Sequence, residues 1–536
     1  MKHFHNDKLD LWKSYPRQGL RGFINSIVRI PAFSQSDFRK LAQANVQVVF
    51  CALHPPEQKM SISSMYYAHP ASMLRKMVET LAGRITSVAY RKINEYFQST
   101  TYDHYSQLKY EIKQLLKSSE QNDCFSKVKI NGTTKRCSYH LVKNATEIHD
   151  ILEKNKQFPE QLTIAVVLTV EGLHALGRGH INFNGYRNPR NVKDNEILYR
   201  LDLVKGVGEA GDPVWNYTPI WVNLTHMFSN SICGHAQGFN LFFRMVLEYA
   251  EPFGPLFGQQ SRVGLNQGIT PLGEKVIKRL LGIDSDSKQR KARNEATGKR
   301  ILIDIKHMST QSRMDYYALL DQYQQEHPED SIPIVMSHAA VNGKKSVYDE
   351  PDPVDSEIEY DRSGGFNPWS INLYDDEIVR IHQSKGLIGL IFSERILAGG
   401  EKLRYLKNQL RKGDTVQDKG LYAYFRKSRN RFKWTRLILD QIYHIVNTVM
   451  QSQNVPGSTK SKVWDIICIG SDFDGQITPI GPYKSVKAFP VFKQTLLEML
   501  CKDTRFEPLK RGFSEEELVD KICFKNAYLF LNRNFK

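Results

Sequence analysis

The sequence contains no stretch of about 18 uninterrupted apolar residues, so it does not encode the kind of helix that crosses a bilayer. Its opening, MKHFHNDKLDLW, lacks the apolar segment of a secretory signal. Cysteine is sparse. The seven residues fall in neither CxxC nor CxxxC spacing, which argues against a disulfide scaffold or a zinc ribbon and predicts a reduced, cytoplasmic protein. A Cys124–Cys137 bridge is the lesser reading. No internal repeat is present, which excludes solenoids and propellers. Acidic residues are also short in supply, 57 against 74 basic ones, giving a net charge of +17. Such a balance suits an anionic partner such as nucleic acid, membrane lipid or an acidic substrate. The charges are spread along the chain with only one dense block, however, and a basic, well-solvated surface is the favoured reading.

What is present is ample core material. Apolar residues make up 41% and aromatics 11% of 536 residues. Length alone would suggest several domains, but α/β barrels run long as single units. Short apolar runs recur at Met1–Phe4, Val46–Ala52, Ile164–Val170, Ile220–Leu224, Ile301–Ile305, Ile332–Met336, Leu387–Phe392 and Asp465–Ile469. Helical spacing lies between many of them, including Ala71–Phe97, Tyr105–Leu116, Asn144–Glu153, Phe239–Tyr249, Met314–Gln325, Asp375–Ser384 and Thr435–Met450. Thr270–Leu281 carries its own start signal, with Thr270 as N-cap and Pro271 at the first helical position. Phe125–Asn131 and Cys137–Val142 read as a hairpin turning at Asn131-Gly132. Asp284–Arg300 is polar and aperiodic and reads as a loop. Eight buried strands alternating with helices predict a single α/β unit over 1–536, a (β/α)8 TIM-type barrel. Large loop insertions are expected at about 54–160, 343–372 and 397–434.

Active sites of such barrels lie at the C-terminal ends of the strands. That rule selects His5 and Asp7, Glu171, His226, His307, His338 and Asp472. Glu171 is the most telling of these, because a carboxylate closing a buried strand needs a partner. Arg178 is one candidate partner, and a metal is the other. His5 and Asp7, two apart, project to one side of an extended chain. Imidazole and carboxylate together suit Zn2+. The set reads as a two-zinc site, with His5 and Asp7 on one ion, His307 and His338 on the other, and Glu171 bridging. Asp472 and Asp474 in GSDFDG also have the composition of turn formers.

These stretches carry a resemblance. HND at 5–7, VEGLHAL at 170–176, LTH at 224–226, TPLGEKVIKRL at 270–280, IDIKHMS at 303–309, SHAAV at 337–341 and IGSDFDG at 469–475 resemble the membrane (renal) dipeptidase family of the metal-dependent amidohydrolase superfamily. RGFSEEELVDKICFKNAYLFL at 511–531 is similar to that family's closing helix. The resemblance runs from end to end, broken by insertions. It implies two zinc ions per chain held by His5, Asp7, Glu171, His307 and His338, with Glu171 shared. It implies that His226 contacts substrate and the developing oxyanion, and that Asp472 carries a proton from water to the leaving amine. The implied reaction is hydrolysis of a dipeptide's amide bond by a metal-bridging hydroxide, often with tolerance for a D-residue on the C-terminal side.

One departure stands out. The family pattern has an arginine pair before Asn-Val, and its second arginine binds the substrate's C-terminal carboxylate. Here Ser370-Ile371-Asn372-Leu373 occupies that place. Arg362, Lys344 and Lys345 are the candidates to replace it, with Arg362 the substrate-binding choice. The departure keeps a second reading open, an amidohydrolase acting on another amide such as an N-acyl amino acid. A third reading is a non-catalytic barrel that binds an anionic partner through the basic insertion, whose FRKSRNRFKW at 425–434 interleaves aromatics with charge. The expected partner is a small peptide-like molecule. Nucleic acid is not expected, contact of 397–434 with a membrane surface is the lesser reading, and a homodimer is left open.

Overall fold

The computed structural model describes residues 10–13, 34–55, 57, 103–177, 193–227, 230–238, 264–292, 296–349, 353–411, 421–475 and 477–536. His5, Asp7 and the strand predicted before them lie outside the described residues, as do the helical stretch expected around 71–97 and the one at Phe239–Tyr249.

The described strands are β1 (Val48–Leu53), β2 (Ser126–Ile130), β3 (Thr133–Leu141), β4 (Gln161–Glu171), β5 (Trp221–Asn223), β6 (Leu302–Asp304), β7 (Val335–Ala339), β8 (Leu387–Leu390) and β9 (Ile467–Ile469). They form one sheet in the order β2-β3-β4-β5-β6-β7-β8-β9, with β1 on the other side of β4. Every pairing is parallel except the β2–β3 hairpin. That hairpin turns where the sequence says it should. Asn131 and Gly132 both have positive φ, 47° and 89°, as a tight Asn-Gly turn requires. No described pairing joins β9 back to β1.

β4 is the spine of the sheet. Its run of Val, Ile, Leu and Thr is buried from Leu162 to Val170, and the register Leu53↔Val170 and Val170↔Val222 sets the ends of β1 and β5 beside Glu171. A strand buried on both faces needs a continuous apolar run rather than an alternating one. Helices cover the sheet. In Pro271–Leu281, Thr270 Oγ1 accepts from the Gly273 N–H at 3.0 Å, and Gly282 closes the helix at φ 68°. Ser309 caps Thr310–Glu326. At the C-terminus Asn526 donates to the carbonyls of Trp464 and Ile467, pinning the closing helix to β9. No helix of the described residues is long and apolar enough to cross a membrane, and all seven cysteines are free thiols.

One stretch corrects the reading of the sequence, and a second extends it. Ser285–Ala292 is helical rather than loop. Asp284 caps it through the Ser287 N–H and is itself held by Arg279 at 2.6 Å, so a cap and an ion pair start a helix that has no apolar period. The basic insertion is two helices, Gly400–Arg411 and Leu421–Gln451. In the second, Leu437, Ile438, Ile442, Ile445 and Val449 are buried in the core, so that half packs as structure.

Candidate metal centre

Parallel strands bring their C-terminal ends to one edge of a sheet, and five of the strand-terminal residues picked from the sequence lie there, His5 and Asp7 being outside the described residues. Glu171 ends β4, His226 and His307 follow β5 and β6 by three residues, His338 lies in β7, and Asp472 follows β9 by three. The backbone is shaped to present them. His307 and Asp472 hold positive φ, 71° and 56°, a conformation non-glycine residues adopt at a cost of about 1–3 kcal/mol and mostly at functional sites. Gly172 follows Glu171 at φ 93°, and a Cβ there would sit 2.5 Å from His174 Nδ1 and 3.1 Å from His226 Cβ. Only glycine lets the carboxylate strand and His226 approach so closely.

Glu171 Oε1 is the centre. It lies 3.1 Å from His307 Nε2, 3.6 Å from His226 Nε2 and 3.6 Å from His338 Nε2. His307 Nε2 and His338 Nε2 are 3.1 Å apart, and His338 Nδ1 is engaged by Ser337 Oγ at 2.8 Å. Burial, reinforced for His307 by the charge of His226 and for His338 by that of Lys306, keeps both rings well below the ordinary histidine pKa. Neutral imidazoles converging on one carboxylate oxygen are a metal-ready donor set. Glu171, His226 and His307 each offer a ligand atom, all within 4.8 Å of one another, and so do His54, Glu57 and His226. The chemistry of these donors fits a divalent ion such as zinc.

Asp472 faces the same cluster. Burial and then the Glu171 charge push its carboxyl up to about 8, with Lys306 and His226 pulling the other way. Lys306 is fully buried, and among the described residues no hydrogen bond reaches its Nζ. Burial brings it down to about 8 against the charges of Asp472, Asp304 and Glu171. Asp474, the other acid of GSDFDG, is a tether. Its carboxylate accepts from the backbone N–H groups of Gln35 and Ser36, both at 2.8 Å. Arg178, the other candidate partner of Glu171, lies outside the described residues.

Two residues were missed from the sequence. His54 and Glu57 follow β1, and the strand-end rule would have found them had β1 been set beside β4. His54 Nδ1–H donates to the Glu171 carbonyl at 2.7 Å, and Glu57 Oε2 lies 2.8 Å from His226 Nδ1. Burial works against the charged form of His226, but Glu57, Glu171 and Asp472 together raise its pKa.

The family's arginine position is occupied otherwise. Ser370, Ile371 and Asn372 form a buried loop beside the end of β7, where Leu373 N–H donates to Ala340 O at 2.9 Å. Arg313 grips this loop from beneath through the Ser370 carbonyl at 2.7 Å. Arg362 is exposed at the end of the helix Pro353–Arg362, Lys345 is exposed, and Lys344 pairs with Glu359 at 2.8 Å. Among the described residues no contact joins any of the three to the histidine cluster.

Neither a family model nor a curated protein matches the chain. Among solved structures it is similar to dipeptidase AC, a metallopeptidase of family M19, at 12% identity over 94% of this chain and 90% of that one, with a TM-score of 0.45. It is similar to the probable dipeptidase PvdM from Pseudomonas aeruginosa at 14% identity, 94% and 89% coverage and a TM-score of 0.43. A metallopeptidase from Rhodobacter sphaeroides, liganded with a phosphinate mimic of the dipeptide L-Ala-D-Ala, overlaps 96% of this chain and 95% of its own at 12% identity and a TM-score of 0.43.

Proposed function

We propose that the chain is a zinc-dependent, dipeptidase-like hydrolase, with its site at the C-terminal ends of the strands of a (β/α)8 barrel. The observation that carries this reading is the convergence of three imidazole nitrogens on Glu171 Oε1 within 3.6 Å. Glu171, His307 and His338 are the proposed zinc ligands, joined by His5 and Asp7 for a second ion bridged by Glu171. Bound zinc would activate water and polarise the scissile carbonyl. The chain's own residues do the rest. His226, with Nε2 turned toward Glu171 and carrying protons on both ring nitrogens, is the donor to the oxygen that gains charge as water adds to the carbonyl. Asp472 is the proton carrier. It accepts a proton from the attacking water and returns it to the leaving nitrogen as the C–N bond breaks. A carboxyl held near neutrality by burial suits both halves of that transfer.

The loop at Ser370–Asn372 favours keeping a second reading, hydrolysis of another amide such as an N-acyl amino acid, because no arginine stands there to take a free carboxylate. The test is a panel of L-L and L-D dipeptides beside N-acyl amino acids, assayed with zinc-loaded protein whose metal content is measured. Dipeptide turnover with about two zinc ions per chain is the expected result. Turnover of N-acyl amino acids alone selects the second reading. Near-zero zinc, with no turnover on adding it, refutes both and leaves the non-catalytic, anion-binding reading.

A further inference from the structure

We infer that Glu57 is a positioning residue of this site: it fixes which ring nitrogen of His226 faces Glu171 and the cluster around it. The inference rests on the hydrolase reading for its kinetic consequence, but not for its geometry. The chain leaving β1 passes alongside Glu171, because Leu53 pairs with Val170. Hydrogen bonds hold this short turn in place, among them one from the His54 N–H to Glu111 Oε2 at 2.9 Å. His54 Nδ1–H donates to the Glu171 carbonyl at 2.7 Å, and His174 donates from Nε2 to the Pro55 carbonyl at 2.6 Å. The turn so held delivers the Glu57 side chain, 1% exposed, to His226.

The chemistry of that contact has one direction. An ionised carboxylate only accepts, so the His226 nitrogen 2.8 Å from Glu57 Oε2, Nδ1, must carry a proton. Nε2 then faces inward, 3.6 Å from Glu171 Oε1. The packing around His226 leaves this as the decisive contact. Gly172 leaves room for the His226 Cβ where any larger residue would not, and the rings of His54 and His307 stand edge-on to the imidazole at centroid distances of 4.3 and 4.5 Å. These contacts fix where the ring sits, yet an imidazole turned over by 180° fills nearly the same space. Only a hydrogen-bond partner distinguishes the two orientations, and Glu57 is that partner. Carboxylates that orient a functional histidine in this way are worth about 10–100-fold in affinity or activity.

The experiment compares full-length Glu57→Leu, which keeps bulk and removes the acceptor, with Glu57→Gln, which keeps an acceptor oxygen. Three readouts are taken: kcat and KM, bound zinc, and the protonation pattern of His226 from two-bond proton–nitrogen correlation spectra of protein carrying [15N]histidine. Glu57→Leu is expected to lower kcat about 10–100-fold, with zinc content unchanged and KM little altered. Its His226 spectrum loses the Nδ1–H pattern of the parent, while Glu57→Gln retains that pattern and most of kcat. An unchanged His226 spectrum in a folded Glu57→Leu protein overturns the inference. Loss of zinc in step with activity in both variants also overturns it, making Glu57 a metal ligand with His54 and His226 instead. If the parent cleaves none of the amides tested, the hydrolase reading fails, and the spectra still decide the role of Glu57.

Discussion

Replacing Arg313 should be among the most damaging single changes outside the metal centre. Arg313 and Glu377 are 0% and 1% exposed and meet at 3.0 Å. The guanidinium also donates to the Ser370 carbonyl at 2.7 Å, while Glu377 accepts from Tyr317 Oη at 2.6 Å and from the Tyr374 N–H at 3.2 Å. Burial pushes the Glu377 carboxyl up and Arg313 pulls it back down, so the pair works against a large desolvation cost. Arg313→Met leaves a buried acid without its cation and the Ser370 carbonyl without its donor. Breaking one side of such a pair costs about 3–5 kcal/mol. Glu377→Gln keeps an uncharged partner for Tyr317 and should cost about 2 kcal/mol, in the range for a buried hydrogen bond to a charged group. The double variant should be less damaged than the two singles added together, by about 1–3 kcal/mol, because neither charge is then left alone. Urea unfolding followed by tryptophan fluorescence measures all four proteins. Arg313→Met within about 1 kcal/mol of the parent, or strictly additive singles, would refute the argument.

Asp472→Asn is expected to retain zinc and to lose about 10²–10⁴-fold in kcat, the range for removing a general acid–base group; metal analysis alongside steady-state kinetics checks both halves. His307→Ala and His338→Ala should each lose bound zinc, and the parent should gain about 2.7 kcal/mol of stability at a free zinc concentration one hundred times its Kd, a gain the variants lack; calorimetry with and without chelator reads this. Arg300 and Tyr323 hold the Asp330 carboxyl down at about 2. A lowered carboxyl pKa stabilises the fold above the unfolded value near 4 and ceases to as pH falls through about 2. Both partners are about a third exposed, so Asp330→Asn should cost about 1 kcal/mol at pH 7 and less than half of that at pH 2, measured by denaturant midpoints at each pH.

Most of the candidate centre was legible because its signals are local. A β-branched run announces a buried strand and a polar residue at its end marks a candidate, so Glu171, His226, His307, His338 and Asp472 could each be picked locally, although only their joint occurrence pointed to a site. Thr270-Pro271 and Asn131-Gly132 were legible for the same reason, since a cap and a tight turn are made by neighbours in sequence. The rest depends on who lies beside whom. Asp472 and Asp474 look alike in GSDFDG, and only the contact of Asp474 with the backbone of Gln35 and Ser36 makes it a tether. Ser285–Ala292 has no apolar period, and its helix starts from an acid capped in place by Arg279.

By itself, then, the sequence determined the periodic strands and the terminal donors for which metal chemistry is proposed. The tertiary structure decided which of them share an atom: Glu171 Oε1 gathers three imidazoles only because β4 to β7 run parallel in adjacent register. It also decided the place of Glu57, which no local pattern marks, because the β1–β4 pairing carries the turn after β1 to His226. Such contacts join residues far apart in the sequence, and side-chain type alone does not encode which distant neighbour will fill a given space.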